Sequence, residues 1–274
     1  MSLSSGVLPA RSGWLQRLRF QVKAAWIQVH SPSYWRYSSW RHGLVESEVA
    51  LLPVLCTADR LSVDVGACNG LYTCPLLGCS RGCVAFEPLP ARAALLRRAF
   101  GRHGARFRCE QVALGDTAGT AELRAPIFAP GYATVEPENR FAGMVDTSQV
   151  ERYDVPLRTL DSYGLEDVGF VKIDVEGHEE AVLRGARGTL ERDRPALVVE
   201  VEERHKAGSV QAVHRFLTEL GYEAHFLLRG QLHPFERFDP TRHQDVRRGE
   251  DYLRNFIYVQ GAARDRLRAH FSRP

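Results

Sequence analysis

The chain has 274 residues, a length that fits one large α/β domain with extensions. Hydrophobic residues make up 44% and charged residues 25%, a balance that supports a sizeable core in an ordinary soluble protein. A formal net charge of +3 is too small to argue for nucleic acid, and arginines such as Arg92, Arg97 and Arg98 read as solvated helix faces.

Residues 1–13 are rich in Ser, Gly and Pro and are expected to be disordered. They hold no apolar stretch of a secretory signal, and no window reaches the ~18–20 apolar residues of a membrane span. A cytoplasmic location is the expectation. Trp14, Leu18, Val22, Trp26 and Val29 recur at a helical period, with Arg17, Arg19 and Lys23 opposite. This amphipathic helix is expected to dock on its own domain or a partner, with membrane-surface contact as the weaker alternative. The aromatic stretch 31–40 reads as a loop. Residues 1–45 thus form an extension, 46–262 one domain, and 263–274 a tail.

Glu46 to Leu55 predicts a short helix. Strands follow at 61–65, 82–87 and 106–112, with helices near 70–79 and 89–101, the latter with an apolar side on Ala91, Leu95, Ala99 and Phe100. TAELRAPI, after VALGD at 112–116, reads as an extra strand. Residues 126–156, with their prolines and mixed polarity, read as a lid over a pocket. Strands at 169–174 and 196–202 alternate with helices at 178–190 and 209–220, and strands at 222–228 and 255–259 finish the chain. The alternation predicts an α/β, Rossmann-like fold: a mostly parallel seven-stranded sheet covered on both faces, with an antiparallel edge hairpin.

Two strand ends concentrate the chemistry, LSVDVGACNG at 61–70 and GFVKIDVEG at 169–177. The first places Asp64, Gly66 and Gly70 at a strand-to-helix turn, and AFEP at 85–88 adds Glu87 after the next strand. An acid there holds ribose hydroxyls in nucleotide-binding sheets. A dinucleotide fingerprint would read G-x-G-x-x-G; here the middle glycine is missing, which disfavours an NAD-dependent oxidoreductase. The pattern points to S-adenosylmethionine (SAM), which has no phosphate to seat. Asp64 and its turn suit the methionine part, Glu87 the ribose, and Val112, Ala113 and Leu114 the base.

Asp174 and Glu176 are the candidates for directing an acceptor hydroxyl's proton. Asp174 could instead hold the cofactor ammonium, and Glu176 could cap the helix beginning near His178. Lys172, inside an apolar strand, predicts a buried ion pair, with a catalytic role as the alternative. His178 and His205 read as hydrogen-bonded surface histidines. The acids at 174, 176, 179, 180 and 200 could bind a divalent cation, although Glu179 and Glu180 are more simply first-turn helix acids, and no metal is expected. Cys56, Cys68, Cys74, Cys79, Cys83 and Cys109 lack the C-x2-C knuckle of zinc sites and read as reduced, mostly buried hydrophobes.

DVGACNGLYT at 64–73, AFEPLP at 85–90, VALGD at 112–116, GYATVE at 131–136, PLRTLDSY at 156–163 and FVKIDVEGHEEAVLRGA at 170–186 together resemble the FkbM-type family of SAM-dependent methyltransferases. The resemblance implies a class I methyltransferase fold and SAM as cofactor, with S-adenosylhomocysteine (SAH) as product. It further implies O-methylation of hydroxyls on saccharides, glycolipids or polyketide-type products. It carries cofactor roles onto Asp64, Gly66, Gly70 and Glu87, with Asn69, Tyr72, Thr73 and Pro88 expected beside them. An active-site role falls on Asp174 and Glu176, and Asp161 matches a recurrent aspartate. One departure stands out: the family pattern D-V-G-A-N-x-G has Cys68 at its asparagine, with Asn69 beside it. The expected partner is a hydroxyl-bearing small molecule or glycan, and a homodimer is possible. The rival readings are methylation of a non-sugar product and a non-catalytic subunit of a glycan-assembly complex.

Overall fold

Five short apolar runs build the centre of the molecule: β1 Leu61–Val65, β2 Gly82–Phe86, β3 Phe107–Glu110, β7 Val168–Ile173 and β8 Ala196–Glu200. They pair in parallel in the order β8-β7-β1-β2-β3. The computed structural model describes residues 46–127, 129–141 and 149–272. The helix expected at 14–29 and the aromatic loop at 31–40 lie outside the described residues.

Side chains alternate across these strands, so the sheet has two apolar faces. Val63, Val65, Val171, Ile173, Leu197 and Val199 pack under the helices Glu179–Arg184, Arg187–Asp193 and Ser209–Glu219. Ala85, Phe170, Ala196 and Val198 face Leu52, Leu76, Leu96 and Leu267 from helices on the other side. Asp64 and Lys172 are register partners on this second face, which sets a carboxylate beside a lysine inside the core.

The far side of the sheet differs from expectation in its count. β11 (Asn255–Val259) runs antiparallel between β8 and β9 (Glu223–Leu228), and β10 (Gln231–Pro234) adds an edge strand to β9. Among the described residues the main sheet therefore has eight strands rather than seven. QLHP is too short and too polar to announce a strand; its pairing to β9 makes it one. The region expected as a lid also changes. Val150–Arg158 forms β6, paired with β5 (Gly119–Pro126) and β4 (Ala113–Leu114) in a separate three-stranded sheet.

Two helices depart from their predicted form. The helix expected at 178–190 breaks at Gly185 and Ala186. The helix Pro90–Phe100 buries Arg92, Ala93, Leu96, Ala99 and Phe100, leaving Ala91 exposed and Leu95 half-buried. The stripe is regular, but it starts on an arginine, which disguised it. Residues read as a tail continue as the helix Gly261–Phe271, with Leu267 buried against the core. Among the described residues no helix is long and apolar enough to cross a membrane.

Candidate active site

The chain runs from β1 outward to β3 and then returns beside β1 as β7, so the strand order reverses between β1 and β7. Ligands of open α/β sheets bind beyond the strands' carboxyl ends at such a point. A cleft lies there, with about 520 Å³ of empty space when its open mouth is included. It is bordered by Gly66 and Cys68 after β1, Glu87 and Pro88 after β2, Val112, Ala113 and Leu114, and Asp174 and Val175 after β7.

Gly66 lets two strand ends come together. Its φ is +76°, and a Cβ added there would lie 1.7 Å from the Asp174 carbonyl oxygen. No other residue type fits that approach. Gly70, at φ +83°, sits against the Phe100 ring, 2.5 Å from where its Cβ would be. Gly70 therefore packs the turn onto the helix and does not border the cavity. Asn69, half-buried, also stands off the lining.

Asp64, Tyr72 and Thr73, expected at the cofactor, do not border the cavity and support the turn from behind. Asp64 points to the second face of β1, where its Oδ2 accepts from Thr73 Oγ1 at 2.5 Å. Burial pushes its carboxyl up to about 6, against the Thr73 bond and the Lys172 charge. Tyr72 donates to Glu46 Oε2 at 2.7 Å.

Glu87 does face the cavity. Its Oε2 accepts from the Cys68 backbone N–H at 2.7 Å and its Oε1 from that of Leu89 at 2.8 Å. Burial raises its carboxyl to about 7, although Arg92 and these two donors pull it down. Arg92, expected on a solvated face, is buried in the same lining and donates to the Cys68 thiol. An arginine at helical spacing carried no signal for this.

Asp174 ends β7 at the opposite wall. Burial pushes its carboxyl up to about 8, with Lys172 opposing the shift and Glu176 adding to it. Lys172, 2% exposed, does not border the cavity. Its Nζ lies 3.0 Å from Asn255 Oδ1, 3.7 Å from Glu200 Oε2 and 4.9 Å above the Tyr72 ring. Burial alone would lower its pKa, but Asp174, Glu46, Glu200 and Asp64 together raise it, so the amine stays protonated. The buried pair expected from the sequence is present, and Lys172 sits behind Asp174 as its fixed counter-charge.

Glu176 is neither in the cavity lining nor a helix cap. Its Oε2 lies 3.0 Å from Nε2 of His205, and Glu179, not Glu176, accepts from the Gly177 N–H. His205 is buried rather than on the surface; desolvation disfavours its charge, but the Glu176 and Glu202 carboxylates together outweigh this and raise its pKa. His178 sits 3.3 Å from Glu136 Oε2. Glu180 pairs with Arg184 and Glu200 with Lys172 and Arg254. Of the acids considered for a cation, Glu176, Glu179, Glu180 and Glu200 are thus spent on protein partners, and among the described residues no group of three is arranged to hold a metal.

The segment 130–135 forms a wall of the cavity. Thr134 Oγ1 and Asn139 Nδ2 both donate to the Glu176 carbonyl, at 2.8 and 2.6 Å, so this wall is tied to the turn that follows Asp174. GYATVE carried the signal as a motif without revealing that role. Asp161 turns out to be structural: it accepts from the N–H groups of Gly188 and Thr189 and from the Thr189 hydroxyl, capping the helix Arg187–Asp193. The free cysteines are otherwise packing residues, Cys56, Cys83 and Cys109 being buried.

The residues bordering the cavity fit SAM. Glu87 would take the ribose hydroxyls, Ala113 and Leu114 would flank the base, and the bare backbone at Gly66 would pass the amino-acid tail. A parallel sheet with this cavity, a glycine turn after its first strand and an acid after its second define the class I SAM-dependent methyltransferase fold. The chain belongs to the FkbM methyltransferase family, the Methyltransferase FkbM domain matching residues 64–224. SAM is accordingly its cofactor.

The methyltransferase FkbM of Methylobacillus flagellatus superposes with a TM-score of 0.50 at 16% identity, over 90% of this chain and 59% of that one. At that identity the likeness shows the fold alone. This chain thus spans less than two thirds of that relative. An O-methyltransferase of Bacillus cereus in complex with SAH gives 0.41 at 15% identity, over 91% and 92% of the two chains. A precorrin-8w decarboxylase of Methanobacterium thermoautotrophicum gives 0.42 at 12%, over 78% and 89%. No curated protein matches the sequence.

Cys68 has a φ of +52°, a left-handed conformation that asparagine tolerates better than most residues. This accounts for the family's asparagine in physical terms. Cys68→Asn is expected to raise the stability of the ligand-free protein by up to about 1 kcal/mol, read from urea unfolding. A loss of stability would mean that the thiol's contact with Arg92 outweighs the backbone gain.

Proposed function

We propose that the protein transfers a methyl group from SAM to a hydroxyl of a saccharide, glycolipid or glycosylated metabolite. The observation that carries this reading is the pair Glu87 and Asp174 bordering one cavity. Glu87 is committed to the ribose side, which leaves Asp174 for the acceptor side. When bound, SAM supplies a methyl carbon made electrophilic by its sulfonium. Asp174 Oδ would receive the proton of the attacking hydroxyl, and a carboxyl pushed up to about 8 is matched to proton transfer near neutral pH. The Lys172 charge acts on that carboxyl from behind, and the wall 130–135 would exclude water from the line of transfer. The acceptor class follows the family's habitual substrates.

Incubation with methyl-labelled SAM and a panel of saccharide and non-sugar alcohols tests the reading. Label in a saccharide ether is the expected product. Label only in a non-sugar hydroxyl would overturn the saccharide class, and SAH binding without transfer to any hydroxyl would favour a non-catalytic subunit.

A further inference from the structure

Arg92 lies in the first turn of the helix Pro90–Phe100, 7% exposed, and borders the cavity. Its Nη1 donates to the Cys68 sulfur, while its Nε, also buried, has no partner among the described residues. A guanidinium is costly to bury unless an anion answers it. The acid in the lining on which its charge acts most directly is Glu87, whose two oxygens accept from the backbone at Cys68 and Leu89. Cys68 joins the two: its main chain holds Glu87 and its thiol holds Arg92.

We propose that Arg92 is a positioning residue for cofactor recognition: propped on Cys68, it supplies the positive charge that keeps the Glu87 carboxylate ionised and ready to accept from both ribose hydroxyls. This rests on the SAM reading and deepens it. It also gives the cysteine at the family's asparagine position a purpose, as the seat of the guanidinium.

The groups facing Glu87 are Arg92 from the helix, Asp64 from β1, the Cys68 thiol from the turn and Cys109 from β3. Burial raises the Glu87 carboxyl to about 7 even with Arg92 in place, and Asp64 adds to the rise. Removing the arginine must raise it further. An ionised Glu87 accepts two hydroxyls and a protonated one does so poorly. SAH affinity should therefore fall as pH drops through about 7 in the wild type, and the fall should begin at higher pH without Arg92.

Calorimetric titration of SAH between roughly pH 6 and 9 tests this on the whole protein. Arg92→Met is expected to bind about fivefold more weakly near neutral pH and up to about tenfold more weakly at the acid end, the effect of a roughly tenfold rise in the proton affinity of Glu87, with the deficit closing toward the alkaline end. Arg92→Lys keeps the charge and should keep the wild-type profile. A deficit of equal size at every pH would reduce Arg92 to a packing residue and overturn the proposal, as would no deficit. Should Arg92→Met fail to fold by circular dichroism, Cys68→Ala removes the prop alone; the same alkaline displacement supports the proposal and an unmoved profile overturns it. Wild-type protein that binds no SAH at any pH would defeat the SAM reading itself, an outcome distinct from a failed Arg92 effect.

Discussion

Asp174→Asn is expected to lower turnover about 10²–10⁴-fold, the range for loss of a general base, with the fold intact. The amide keeps the shape of the side chain and cannot take a proton. Lys172 retains Glu200 and Asn255 as neighbours, so the core behind the site should hold. The wild-type rate should climb as pH rises through about 8, because the group must lose its proton before it can accept one, and this limb should vanish in the variant. SAH affinity measured alongside separates a second role: it falls as well if Asp174 also holds the cofactor ammonium. Glu176→Gln offers the contrast. Its carboxylate is paired with His205 away from the cavity, so turnover should change little while thermal stability drops. A wild-type rate and pH profile in Asp174→Asn would leave alignment of the hydroxyl as the whole of the catalysis.

Gly66→Ala should be the most damaging change at the cofactor turn. A methyl there overlaps the Asp174 carbonyl oxygen at 1.7 Å on a backbone with φ +76°, and the obstruction is main chain, which cannot rotate aside. Overpacking and left-handed strain together are expected to cost about 3 kcal/mol or more. The β1 turn and the end of β7 would be forced apart, so SAH binding should disappear in whatever fraction still folds. Urea unfolding and SAH titration read both effects. Normal stability with normal affinity would show that the two strand ends need not meet this closely.

The strands that frame the site were legible because a buried parallel strand is an unbroken apolar run, and β1, β2, β7 and β8 each stop at a glycine or an acid. Glu87 and Asp174 could be placed at the same sheet edge on that basis alone. The alternation also made Lys172 legible as a buried pair. What escaped were contacts set by tertiary geometry. Nothing local distinguishes Arg92, which is buried, from Arg97 and Arg98, both exposed on the same helix. Glu176 follows Asp174 by two residues, yet its φ of +56° turns it out of the strand's alternation toward His205. Thr134 and Asn139 act across about forty residues of chain on one carbonyl, and β6 forms because β5 is there to receive it. Periodicity is silent on all of these.

Titration of SAH into the wild type and Glu87→Ala tests most directly whether this cavity is the cofactor site. The wild type is expected to bind, and the variant to lose about 1–3 kcal/mol, the scale for hydrogen bonds to a charged group, or about 5- to 150-fold in affinity. Equal affinity in the two proteins would contradict this, since the one buried carboxylate after β2 that borders the cavity would then have no part in holding the ribose.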